Sequence, residues 1–399
     1  MLKYNLWPEE PVQKGDFVEL TATLEKSRLE RQRIWFRFPG SYFRASSQNM
    51  DSFVLASFFT CMSAPADMEI RGEVSPSLLV NLAEFQKAWA LWLPQKYHPV
   101  ELFSGAGRDL HRVEKNEAIM SFSGGVDSAF TAWQHRMNPP ERQPWKLVAG
   151  VMAHGFDIPI DQPEVFARAA EKSRIMLSSI GMQLIPVYTN LRELHNVWDD
   201  SHGTALAACL MLFQGVYNTG LIASSDIYKD LVLPWGSNPL TDRMLSNNAF
   251  EIIHDGAGTN RVEKARQISH WPEARQNLRV CWEGQNKDRN CCRCQKCVTN
   301  ILIINAVGQG HFPAFPYNIT DREIRHLKFD DLTSMDWDIN LLANANIPRP
   351  TLRAMKVSLL INRVRIAANK HAMLKWLVRL VGGVWFLDPT DPALWPQYR

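Results

Sequence analysis

The chain has 399 residues, of which 46% are hydrophobic and 21% charged, with a formal net charge of +3. That length exceeds one ordinary domain, and the composition suits a globular protein with a sizeable core. So small a net charge excludes a dedicated nucleic-acid binder that grips its target through bulk charge.

Three regions are expected: an N-terminal α+β domain over 1–115, an α/β domain over 116–310 and a C-terminal helical region over 311–399. The first ten residues hold no basic region followed by an apolar run, so no secretory signal is expected and the location reads as cytoplasmic. Residues 17–24 and 33–38 are rich in β-branched and aromatic types and read as strands, and 68–74 alternates at period two. Ser75 then stands as N-cap and Pro76 as first residue of a helix carrying Leu78, Leu82, Phe85 and Trp89 at helical spacing. Nothing in this region carries catalytic chemistry.

The second region alternates strand and helix. Residues 118–122, 147–153, 184–189 and 221–225 are short apolar runs, with Pro186 marking an irregularity in the third. Helical stretches separate them, one over 162–180 stopping at Gly181 and one over 204–213. Strands separated by helices imply a parallel sheet covered on both faces. In the third region, 343–387 holds Arg349, Arg353, Lys356, Arg363, Arg365, Lys370, Lys375 and Arg379 without an acidic residue. Leu359, Leu360, Ile361, Val364 and Ile366 are expected to pack this segment down, leaving its charges in water. The apolar run 373–387 is broken by Lys375 and Arg379, so no membrane span is expected, and the end is rich in Pro and Trp.

The sharpest local feature is Ser121-Phe122-Ser123-Gly124-Gly125-Val126-Asp127-Ser128, placed where a strand ends and a helix begins. Unpaired amides and the dipole at a helix N-terminus attract phosphate, and glycines let the backbone approach it closely. Ser123 and Ser128 add hydroxyls, and Asp127 adds a carboxylate able to hold Mg²⁺. The lysine of a Walker A loop is missing.

This motif resembles that of the PP-loop ATP pyrophosphatases, the adenine nucleotide alpha hydrolase-like, Rossmann-like superfamily. The resemblance implies that Ser121, Ser123, Gly124, Gly125, Val126, Asp127 and Ser128 bind ATP and that ATP is cleaved to AMP and pyrophosphate. It also implies that adenine lies against the end of the second strand, at His154, Gly155 and Phe156. By the rule that ligands lie beyond strand carboxyl ends, Asp226 and Lys229 are expected near the ATP site. Asp226 is a candidate substrate residue, and Lys229 a candidate for the leaving pyrophosphate or an acidic substrate. His202, Asp242 and Arg243 are further candidate substrate residues. Arg261, Glu263 and Lys264 have helix-surface spacing and read as solvated charges.

Cys291, Cys294 and Cys297 form Cys-x2-Cys-x2-Cys, and Cys281 lies ten residues upstream. Four thiolates suit tetrahedral Zn²⁺, with Cys292 left over. The arrangement is similar to the zinc site of 7-cyano-7-deazaguanine synthases. An iron–sulfur cluster is the rival occupant.

The expectation is an adenylating C–N ligase that uses ATP, Mg²⁺ and structural Zn²⁺. It would activate a carboxylate or amide oxygen of a small molecule for attack by ammonia or an amine. Sulfur transfer to tRNA or a small molecule, through Cys292 or Cys209, and ATP sensing without turnover stand as alternatives. A homo-oligomer is left open.

Overall fold

The computed structural model describes residues 2–27, 29–44, 48–194, 197–307, 310–328, 332–345 and 347–370. The chain divides into two compact units, Met1–Arg261 and Val262–Arg399.

The first unit is mixed α/β, built on one large, mostly parallel sheet. It begins with β1 (Leu2–Pro8), β2 (Val12–Lys14), β3 (Phe17–Ser27) and β4 (Glu30–Pro39), followed by α1 (Asp51–Ser63), β5 (Ala66–Val74), α2 (Pro76–Trp92) and β6 (Leu102–Gly107). The second half runs β7 (Glu117–Ser121), α3 (Val126–Met137), β8 (Lys146–His154), α4 (Pro163–Ser179), β9 (Gln183–Thr189), α5 (Trp198–Met211), β10 (Thr219–Ala223) and β11 (Glu251–Asp255). The strand order is β11-β10-β7-β8-β9-β4-β3-β1-β5-β6, with β2 beside β3. The first 115 residues therefore share one sheet with the segment that follows. Phe36 and Arg37 of β4 pair antiparallel with Thr189 and Tyr188 of β9.

The core follows this continuity. Ile34, Phe36 and Phe38 alternate to one face of β4 and are fully buried. They belong to the same apolar cluster as Ile119, Val151, Ile185 and Ile252, and as Ala207, Ala208 and Leu210 of α5. Residues of the opposite parity, Met152 and His154, meet α4 through Phe166. Both faces of the parallel half are thus covered, which is why its strands read as continuous apolar runs. Pro186 is tolerated because β4 reaches only Tyr188 and Thr189, so the proline sits where that edge of β9 carries no ladder.

Ser75 occupies the N-cap position of α2 with Pro76 next, but its side chain does not cap the helix. Its hydroxyl donates instead to the buried Asp51 carboxylate at 2.6 Å, which also accepts from Asn247. Burial pushes the Asp51 carboxyl up despite these donors.

The second unit is helical: α6 (Arg261–Ile268, whose first residue ends the first unit), α7 (Pro272–Asn277), α8 (Gln295–Val307), α9 (Asp321–His326), α10 (Leu332–Ala343) and α11 (Arg349–Lys370). Val298, Leu302, Ile324, Met335, Leu342, Met355 and Leu359 form its core. The expected packing of α11 needs correcting. Leu359 is buried, but Leu360 and Val364 are 62% and 49% exposed. Ala354, Met355, Ser358 and Asn362 form the inward face with Leu359. No helix among the described residues is long and apolar enough to cross a membrane. The run 373–387, with Lys375 and Arg379, and the Pro- and Trp-rich end lie outside the described residues.

Candidate functional site

Numbered by their order in sequence, the five strands of the parallel half stand 3-2-1-4-5 across the sheet. The order reverses between β7 and β10, and in open α/β sheets the crevice at such a reversal is where ligands bind. The Ser123–Ser128 turn leaves β7 at that point. Ser121 Oγ donates to the Leu221 carbonyl of β10 at 3.4 Å, tying the two strands below the crevice. Phe122 and Val126 are buried and anchor the turn from beneath.

Gly124 has φ +77°, a conformation that side chains resist. Gly125 occupies the N-cap position of α3, and no side chain caps the helix. Ser123 Oγ accepts from the Gly125 amide at 3.3 Å and lies 3.3 Å from Ser128 Oγ, which donates to the Gly125 carbonyl. The turn is thus braced by its own hydroxyls, and the first amides of α3 have no acceptor within the helix, the arrangement that anion sites at helix N-termini use.

Asp127, in the first turn of α3, meets Arg261 at 3.3 Å. The same guanidinium donates to the Ser225 carbonyl just beyond β10 at 3.2 Å. Arg261 is therefore not a solvated helix charge, and its side chain is only 14% exposed. Lys264 is likewise buried. A signal for Arg261 was present in the sequence: a cation opening a helix opposes the dipole and needs an anionic partner.

Behind the turn, α3 is pinned to the end of β11. Thr131 Oγ1 donates to Asp255 at 2.7 Å, and His135 Nε2 lies 2.9 Å from the other carboxylate oxygen. Burial pulls the His135 pKa down, but the bond to Asp255, its charge and the bond to Gln143 together outweigh burial, and the net shift is upward.

The other expected ligand residues are placed unequally. Asp226 follows β10 directly, accepting from Ser225 Oγ at 2.9 Å. Lys229 is exposed on the turn Tyr228–Asp230. Gly155 (φ +106°) lets the chain pass Thr189, whose carbonyl oxygen a Cβ would meet at 1.9 Å. His154 is buried, stacks on Phe166 and faces the Pro159 carbonyl at 2.8 Å. Phe156 is buried against Trp198. Both rings act as packing, so neither side chain is free to stack on a nucleotide.

His202 lies near the start of α5, its Nδ1 3.2 Å from the Trp198 carbonyl, and burial pushes its pKa down while Asp242 pushes it up. A Cβ on Gly236 would meet His202 Nδ1 at 2.5 Å, and one on Gly203 would meet the Gly236 carbonyl oxygen at 2.0 Å. Close backbone packing thus locks the Trp235–Gly236 stretch onto α5. Asp242 is fully buried beneath it. Arg243 points elsewhere, to Glu251 at the first residue of β11, and lines a groove with Asn81, Arg112 and Asn248. That is the end of the strand away from the turn. Its neighbour in sequence is brought to the crevice end and Arg243 is not.

In the second unit, the Sγ atoms of Cys281, Cys291, Cys294 and Cys297 all lie within 4.8 Å of one another. Cys281–Cys294 is 3.8 Å and Cys291–Cys297 is 3.9 Å. Thiolates about 2.3 Å from one tetrahedral ion stand about 3.8 Å apart, so the set fits a single metal such as zinc. The four irons of a cubane would spread four thiolates further. Backbone amides of Gly284, Cys294 and Cys297 point at the sulfurs of Cys281, Cys291 and Cys294 at 3.3–3.4 Å, as the outer shell of a thiolate site does. Cys292 adopts φ +60° and turns away toward the Asn290 carbonyl. Burial pushes its thiol up to about 11. Among the described residues this is the one cluster of His, Cys, Asp and Glu side chains able to share an ion.

No protein-family model matches the chain, and no curated protein or solved structure is significantly similar to it.

Proposed function

We propose that the protein is an ATP pyrophosphatase-type ligase, which adenylates a carboxylate or amide oxygen and passes the activated group to ammonia or an amine. The observation that carries this reading is the Gly124–Gly125 turn, set at the strand-order reversal before an uncapped helix with Arg261 beside it. The amides of α3, Ser123 and Ser128 would hold the β,γ-pyrophosphate. The substrate oxygen attacks the α-phosphorus, the bond to the β-phosphoryl oxygen breaks, and pyrophosphate leaves with the electron pair. Arg261 neutralises the charge that develops on it. Asp127 would hold Mg²⁺, which supplies further neutralisation when bound. The amine then attacks the acyl carbon and displaces AMP, losing a proton.

The four thiolates would hold zinc as a structural staple, because all of their ligand positions come from protein. The substrate class is a small molecule. Asp226 and Lys229, beyond β10, are its nearest polar candidates in sequence.

The test supplies purified protein with ATP, Mg²⁺, ammonium chloride and pools of carboxylates, amides and tRNA, and separates AMP from ADP. AMP and pyrophosphate are expected. ADP as the product would sink the reading, and AMP formed only with tRNA would move it to sulfur transfer.

A further inference from the structure

His254 is the penultimate residue of β11, at the carboxyl end of the strand beside β10. Its side chain is 5% exposed and that of Asp242 is wholly buried. Nδ1 lies 2.8 Å from Asp242 Oδ2. The same oxygen accepts from Ser237 Oγ at 2.7 Å, and Oδ1 accepts from the Asn238 amide at 3.1 Å. An ionised carboxylate only accepts, so the Nδ1 of His254 carries the proton and Nε2 presents a bare lone pair. Nε2 is sealed from solvent and has no hydrogen-bond partner among the described residues.

An unpaired buried polar atom is costly and needs a reason. Structural histidines in this protein look different. His135 uses both nitrogens, on Asp255 and Gln143. His154 also leaves Nδ1 unpaired, but it lies on the α4 face, stacked on Phe166, with no carboxylate setting its tautomer. His254 shares the α5 face with Ile252, and a carboxylate orients it as a base is oriented by a third group.

We propose that His254, aligned by Asp242 and steadied by Ser237, accepts the proton of the incoming amine in the second half-reaction. This rests on the adenylation reading. The amine nitrogen bonds to the acyl carbon, the carbon–oxygen bond to AMP breaks, and AMP leaves with that electron pair. The proton shed by nitrogen passes to Nε2, Asp242 stabilises the imidazolium, and the proton is handed on to the phosphate of the departing AMP.

His254→Gln keeps a polar side chain of similar reach without a basic nitrogen. With ATP, Mg²⁺, ammonium chloride and the carboxylate pool, steady AMP release should fall about 100-fold. A first burst of pyrophosphate, near one per chain, should remain. Unchanged turnover would overturn the proposal, and so would loss of burst and turnover together. A wild type that releases no pyrophosphate would sink the adenylation reading instead. Ring ¹⁵N NMR tests His254 separately, with its signals assigned by their loss in His254→Gln. In the neutral ring Nδ1 should carry the proton and Nε2 the lone pair, and Asp242→Asn should release the tautomer. A protonated Nε2 beside a bare Nδ1 would refute the assignment even in an active enzyme.

Discussion

The guanidinium of Arg261 bridges the carboxylate of Asp127, 3.3 Å away, and the carbonyl of Ser225, 3.2 Å away. The first turn of α3, the end of β10 and the start of α6 thus meet at one cation, beside the turn that would hold a triphosphate. A magnesium ion taking Asp127 would free Arg261 for the phosphates.

Two substitutions separate these roles. Asp127→Ala should remove AMP formation by about 100-fold or more, with the far-UV circular dichroism unchanged. Arg261→Gln should raise the KM for ATP about 10-fold or more, the scale of one charge-assisted hydrogen bond. An unchanged KM would return Arg261 to a structural role.

The two positive-φ glycines should fail differently. Gly124→Ala places a side chain in a left-handed conformation at a cost of about 1–2 kcal/mol, so ATP binding should weaken while the fold survives. Gly155→Ala drives Cβ into the Thr189 carbonyl, where the partner is backbone and cannot swing aside. Its unfolding midpoint should drop by about 5 °C or more, read by a thermal melt. Equal melts for the two variants would contradict this division.

Metal analysis should find one zinc per chain in a colourless protein. Cys281→Ser or Cys297→Ser should lose it and lower the unfolding midpoint, whereas Cys292→Ser should keep it, because that sulfur points away. A brown protein containing iron would overturn the assignment.

The His135–Asp255 pair makes a pH prediction. His135 has a raised pKa in the folded state, so it stabilises the fold fully below the ordinary imidazole pKa of about 6.5. That contribution is lost as pH rises through the higher folded value. The unfolding midpoint should therefore decline as pH rises above about 6.5, and the decline should be smaller in His135→Gln. A slope identical in both proteins would show that other groups set it.

Local pattern was enough for much of the fold. Apolar runs separated by helices marked β7 to β10, and Gly181 stopped α4 because its φ of +70° suits glycine. The turn at Gly124 and the thiols at Cys291, Cys294 and Cys297 were legible because their chemistry is carried by neighbours in the chain. Pairing between distant segments was not legible. Nothing in the spacing of 33–38 says that Phe36 will pair with Thr189, and this contact joins the first 115 residues to the parallel sheet.

The amino-acid sequence alone singled out the candidate phosphate turn and the thiols able to share a metal, since both depend on a few adjacent groups. Tertiary structure alone decided which charges face which. It brought Arg261 to Asp127, sent Arg243 to Glu251, and buried Asp242 against His254. Side chains on separate strands and helices have no common frame until the sheet sets their order and the core closes around them.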